Sequence, residues 1–136
     1  MEYKKNYKGF VYWLLGYLLL CFGPILFLGE GMDGGLYTRY LMIVTILDMA
    51  VLAWIILKTE AVYWYNGVEF EEAAKAGSER RKAFAQKHFL VFSRFAAAYL
   101  VFSMLMTVLH VSFWVDFAVA TVGLIAAAIS TVRFKL

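Results

Sequence analysis

The stretch YLMIVTILDMAVLAWIIL, Tyr40–Leu57, decides how this chain folds. It is apolar apart from Thr45 and Asp48, and it approaches the roughly 20 residues that a helix needs to cross the hydrocarbon of a bilayer. Three further runs meet the same requirement: Phe10–Leu28, Phe89–Leu109 and Phe113–Val132. Lipid offers the backbone no hydrogen-bond partners, so each run reads as a helix. The composition agrees. Of 136 residues, 63% are hydrophobic and only 17% charged, and the mean hydropathy is +0.71. The spans leave no room for a soluble catalytic domain. The expected fold is an all-α integral membrane protein, a single domain over 1–136, with four transmembrane helices in two antiparallel hairpins.

Asp48 is the only carboxylate inside these apolar runs, apart from Asp116 near the start of the fourth. An acid at membrane depth is costly and persists where it is paired, faces water or protein, or handles protons or ions. Three roles suit it. As an ion or proton site it would exchange a proton, or hold a cation when ionised. As a buried polar residue it would bond to a phenol or hydroxyl near mid-span, for which Tyr17, Tyr99 and Ser103 are the candidates. As half of an ion pair it would meet Arg94, which lies about five residues into the third span, roughly 7 Å deep at helical rise.

The basic residues give the orientation. Lys4, Lys5 and Lys8 precede the first span, Lys58, Lys75, Arg80, Arg81, Lys82 and Lys87 lie between the second and third, and Arg133 and Lys135 follow the fourth. With Arg94 at the entrance of the third span, 12 of the 13 basic residues fall on one side, and Arg39 alone lies opposite. The positive-inside rule then makes both termini cytoplasmic in a cell membrane. The formal net charge of +3 is a sum of two unlike faces, and it points to the anionic inner leaflet rather than to nucleic acid. Arg80, Arg81, Lys82 and Lys87 form the expected cytoplasmic basic surface.

Several local signals refine this picture. Cys21 is the single cysteine, so no intrachain disulfide can form; Leu20 before it argues against a lipoprotein signal, and nothing after Leu28 resembles a cleavage site. Pro24 has no amide hydrogen, so the Leu20 carbonyl loses its helical partner and a kink is expected. Gly29–Arg39 reads as a short flexible outer loop. Tyr63, Trp64 and Tyr65 read as an interfacial aromatic belt. Asn66-Gly67-Val68-Glu69 has the form of a capping box, which predicts a helix start at that point. A stop at Gly77 and a new cap at Ser78 then make 66–88 a cytoplasmic helical hairpin continuous with the third span. The third and fourth spans, joined around His110–Ser112, must be antiparallel neighbours. In the fourth, Gly123, Ala127 and Thr131 recur every four residues, with Ala120 nearby, a spacing suited to close helix packing in lipid.

No catalytic constellation emerges. Glu30, Asp33, His110 and Asp116 are suitable metal-ligand types, but their spacing matches no compact metal motif, so no metal or cofactor is expected. There is no recognisable nucleophile–base spacing and no phosphate-cradling glycine loop, which argues against an enzyme. In size and four-span layout the chain resembles the small multidrug resistance transporters, which function as dimers. That family carries its essential acid in the first span, whereas here it stands in the second, and the long 66–88 insert is foreign to it. The expected function is accessory or regulatory, with association through the insert and the small-residue helix faces, as a homo-oligomer or with another membrane protein. The alternative is a proton- or cation-coupled transporter or channel, assembled as an oligomer around Asp48.

Overall fold

A computed structural model describes residues 3–28, 31 and 33–136 of the chain. It is all-helical, with α1 over Lys8–Leu28, α2 over Gly34–Thr59, α3 over Phe70–Val108 and α4 over Phe113–Val132. All four helices are long and apolar enough to cross a membrane, as in a multi-pass membrane protein. Of the four long helices, α2 is the central one: it contacts α1, α3 and α4, while α1 packs along α2 and, through Phe10, against the ring of Trp64.

The helix ends differ from hydropathy in instructive ways. α2 begins at Gly34 instead of Tyr40, because Asp33 caps it: its Oδ1 accepts from the Leu36 amide at 2.9 Å. Most of the expected outer loop is therefore helix; Gly29, Glu30 and Met32 lie outside the described residues. α3 begins at Phe70, and the capping box expected at Asn66–Glu69 does not form, since Glu69 caps without a side-chain bond. Asn66 and Gly67 form a turn instead, with Gly67 at φ 86°. The predicted interruption at Gly77 is present: its φ of 77° and ψ of 161° break the helical path between 70–76 and 78–108. Only glycine takes that conformation without strain.

Pro24 sits inside α1. The Leu20 carbonyl that it deprives of an amide accepts instead from the Tyr40 hydroxyl of α2 at 2.6 Å, and the Cys21 carbonyl accepts from Tyr37 at 2.7 Å. A backbone group left open in lipid is thereby satisfied by a neighbouring helix. The same two bonds tie α1 to the bundle. Its outward face remains apolar and exposed, from Val11 through Leu15 and Leu19 to Phe27.

The seams between α2, α3 and α4 are built from small residues. Ile46, Ala96, Tyr99 and Ala120 form one buried cluster, and Ala53, Phe92 and Ala127 the next. At Gly123 a Cβ would come within 2.4 Å of the Phe95 ring, so only glycine allows α4 to lie this close to α3. Thr131 is half-buried and returns its hydroxyl to the Ala128 carbonyl at 2.7 Å. Thus Ala120, Gly123 and Ala127 are spent on contacts within the chain.

Candidate functional site

At the end of the bundle near both termini, the segment after α2 is folded inward. α2 stops at Thr59, and Glu60 takes the left-handed conformation at φ 57°, which turns the chain into a short 3-10 helix, Val62–Trp64. Ile56, Ala61, Val62, Tyr63, Ala73, Phe84 and Ala85 then form a buried core with Phe134 and Leu136 packed against it. The expected belt of Tyr63, Trp64 and Tyr65 is therefore largely internal. Tyr65 lies over the His88 ring, centroids 4.1 Å apart, and the His88 Nδ1–H donates to the Phe84 carbonyl at 3.0 Å. Burial pushes the imidazole below its ordinary pKa, so it stays neutral, stacked and structural.

Glu60 is the hub of this cap. Its Oε1 accepts from Ser78 Oγ at 2.7 Å and faces Lys82 Nζ at 3.4 Å. Its Oε2 accepts from Arg81 Nε at 3.0 Å and from a terminal guanidinium nitrogen at 2.8 Å. The remaining Arg81 nitrogen donates to the Ala73 carbonyl at 3.0 Å, which closes the turn at Gly77. Burial raises the carboxyl pKa of Glu60, but the bonds from Ser78 and Arg81 and the Arg81 charge outweigh it, and the net shift is downward. Ser78 thus bonds to Glu60 through its side chain and is not a helix cap. Arg81 is buried, unlike Arg80, Lys82 and Lys87, which are exposed; the basic surface consists of those three.

The N-terminal segment is strapped over this cap. Tyr3 donates to the Glu60 carbonyl at 2.7 Å, stacks on Phe70 at 5.4 Å, and lies under the Arg81 guanidinium at 4.0 Å. The Asn6 amide donates to the Tyr63 hydroxyl at 2.7 Å, which in turn donates to the Asn6 carbonyl at 2.8 Å. Behind the strap is a cavity of about 610 Å³.

Asp48 is buried on the side of α2 that faces α1. The Trp13 indole stands opposite its carboxylate, although the Nε1–H misses hydrogen-bond geometry. Tyr17 lies in the same seam, its hydroxyl 3.0 Å from Thr45 Oγ1. The other three candidates are elsewhere. Arg94 is exposed, and Tyr99 and Ser103 belong to a separate polar cluster at the far end of the bundle.

That far cluster was not apparent in the sequence. Arg39 Nε lies 3.2 Å from Asp116 Oδ2, with the two side chains only 10% and 1% exposed. One terminal nitrogen of Arg39 donates to Thr107 Oγ1 at 2.7 Å and the other to the Val111 carbonyl. A single guanidinium at the start of α2 thereby holds the end of α3 and the start of α4. The Nε–H does not point squarely at the carboxylate, so the contact is an ion pair without a hydrogen bond, and both Asp116 oxygens lack a donor. Ser103 Oγ beside Tyr99 is likewise buried without a bond. The only sequence cue was that Arg39 is the one base on its side. Asp33 and His110 instead line a second cavity of about 290 Å³ beside Arg39.

Comparison with protein-family models, curated proteins and solved structures finds no match to this chain.

Proposed function

We propose that this chain is a small multi-pass membrane protein of accessory or regulatory type, set in the cell membrane with both termini cytoplasmic. Its helices pair as two antiparallel hairpins, α1 with α2 and α3 with α4. It associates with a membrane-protein partner or a second copy through the cap formed by residues 60–88 and the N-terminal strap. The placement of 12 of 13 basic residues toward one side supports this orientation beside an anionic leaflet.

The observation that carries the reading is the Glu60 hub. It converts the insert from a loop into a rigid platform, on whose outer surface Arg80, Lys82 and Lys87 stand exposed. A partner that reads this surface meets charges in fixed positions, which lowers the ordering cost of binding. Affinity purification from native membranes tests it. A stoichiometric partner or second copy should accompany the wild type and be depleted in the Arg80→Gln, Lys82→Gln, Lys87→Gln triple variant. Recovery of the chain alone in both cases refutes the reading.

The second reading, a proton- or cation-coupled transporter assembled around Asp48, is favoured by one observation: a carboxylate buried near the middle of α2. Against it, neither the 610 Å³ nor the 290 Å³ cavity is lined by Asp48.

A further inference from the structure

We infer that Asp48 and Arg94 form an ion pair between two copies of this chain, Asp48 of one copy meeting Arg94 of the other inside the bilayer. The inference rests on the reading above that the four helices cross one membrane, and it is independent of the cap.

The two charges are level with each other. Ile46 of α2 packs with Ala96 and Tyr99 of α3, and Ala53 packs with Phe92. Asp48 lies between Ile46 and Ala53 on α2, so its depth falls within that of residues 92–99 and matches Arg94. That depth is inside the span. The His88 ring touches Phe134, just past the end of α4, and Arg94 lies further along α3 by about 9 Å at helical rise. Within one chain the two cannot meet. Arg94 stands about 160° around α3 from both Phe92 and Ala96, and it is exposed where they are buried. Asp48 turns toward α1, opposite the Trp13 indole.

Neither charge is compensated. Among the described residues, Asp48 and Arg94 belong to no ion pair, and Asp116, the other acid within the spans, is held by Arg39. Both Asp116 oxygens are sealed off, whereas those of Asp48 are not, and Asp48 keeps 9% of its surface. It borders the exposed α2 stripe of Leu47, Val51 and Trp54. Its carboxylate is therefore open to a side chain arriving from another helix. On α3, Leu90, Arg94, Ala97 and Val101 recur at four- and three-residue steps along one exposed face, the spacing of a helix–helix seam.

An arginine facing lipid and an acid without a cation are each costly at membrane depth. A second copy satisfies both. Two copies related by an axis along the membrane normal keep every residue at its own depth, so the match seen within one chain carries over to the pair. Snorkelling of Arg94 to the headgroups is the competing fate, and it leaves Asp48 without a cation.

Förster transfer between donor- and acceptor-labelled full-length chains in phosphatidylcholine vesicles tests this. Wild type should self-associate. Asp48→Asn and Arg94→Gln should each loosen that association by about tenfold or more, as close charge pairs across an interface do, and Arg94→Lys should retain it. An equimolar mixture of Asp48→Asn and Arg94→Gln chains should recover transfer between the two, because Asp48 of one still meets Arg94 of the other. A role confined to one chain cannot produce that rescue. Helical content is read on each variant, and if Asp48→Asn does not fold, the contrast between Arg94→Gln and Arg94→Lys decides. A monomeric wild type, unchanged association in Arg94→Gln, equal loss in Arg94→Lys, or a mixture of folded variants no better than its components overturns the proposal. The Arg80/Lys82/Lys87 triple variant should leave this association intact, so failure here and failure of the cap reading are told apart.

Discussion

Replacing Arg39 with Met while Asp116 remains should cost about 3–5 kcal/mol of stability, the usual penalty for stranding one half of a buried ion pair. Two features of the site put it toward the upper end. The Asp116 side chain is 1% exposed and neither oxygen has a hydrogen-bond donor, so the guanidinium at 3.2 Å is its only charge compensation among the described residues. The Val111 carbonyl also loses its Arg39 donor, a smaller cost because this carbonyl is only half-buried and borders the 290 Å³ cavity. Thr107 is less affected, since its hydroxyl already donates to the Ser103 carbonyl at 2.8 Å. Asp116→Leu removes the other charge but leaves Arg39 its bonds to Thr107 and Val111. Removing both charges in Arg39→Met, Asp116→Leu strands neither, and buried pairs replaced by apolar residues are often neutral or better. The double variant should therefore lie within about 2 kcal/mol of wild type, far from the sum of the singles. Reversible unfolding in detergent micelles across the four proteins measures the coupling. Additive single effects, or an Arg39→Met protein within about 1 kcal/mol of wild type, would refute a pinning role for this pair.

The remaining expectations concern other parts of the molecule. Asp48→Asn should preserve folding, since an amide can still meet the Trp13 and Tyr17 side of the seam; coupled flux in proteoliposomes that is present in wild type and lost in folded Asp48→Asn would establish the transport reading instead. Gly123→Ala drives a methyl into the Phe95 ring and should cost about 1–3 kcal/mol by overpacking, with partial rescue by Phe95→Leu; an unchanged melting midpoint would mean that the α3–α4 seam is looser than described. The folded Glu60 carboxyl has a pKa below its ordinary 4.5, so its contribution is complete above that value and is lost as pH falls through the folded value. Protease cleavage of the N-terminal strap should accordingly rise on acidification in wild type and vary less with pH in Glu60→Gln, and identical profiles would contradict the hub. Cysteines placed at Gly34 and Lys75 in a Cys21→Ala background should react with an impermeant reagent from opposite sides; labelling of both from outside would invert or abolish the proposed topology.

The membrane-crossing elements were legible in the sequence because crossing is a property of each segment by itself. Mean polarity over about 20 residues sets the free energy of placing a helix in lipid, whatever its neighbours do. Thus the four apolar runs, the fourth with the same limits as α4, and the break at Gly77 could be read directly. The need to satisfy the Leu20 carbonyl was legible too, but its donor, Tyr40, was not.

Partner choice is a property of how helices rotate about their own axes and which neighbours they meet, and hydropathy does not encode it. Tertiary structure alone turned Asp48 toward Trp13 and Tyr17 on α1 and away from Arg94. It also drew Arg39 and Asp116, far apart in sequence, into one buried pair. At the opposite end it sank Arg81 beneath the strap while leaving Arg80 and Lys82 exposed, although the three are consecutive. Consecutive residues on a helix point about 100° apart. Only the position of Glu60 decides which of the three turns inward, because a buried guanidinium requires a carboxylate within reach.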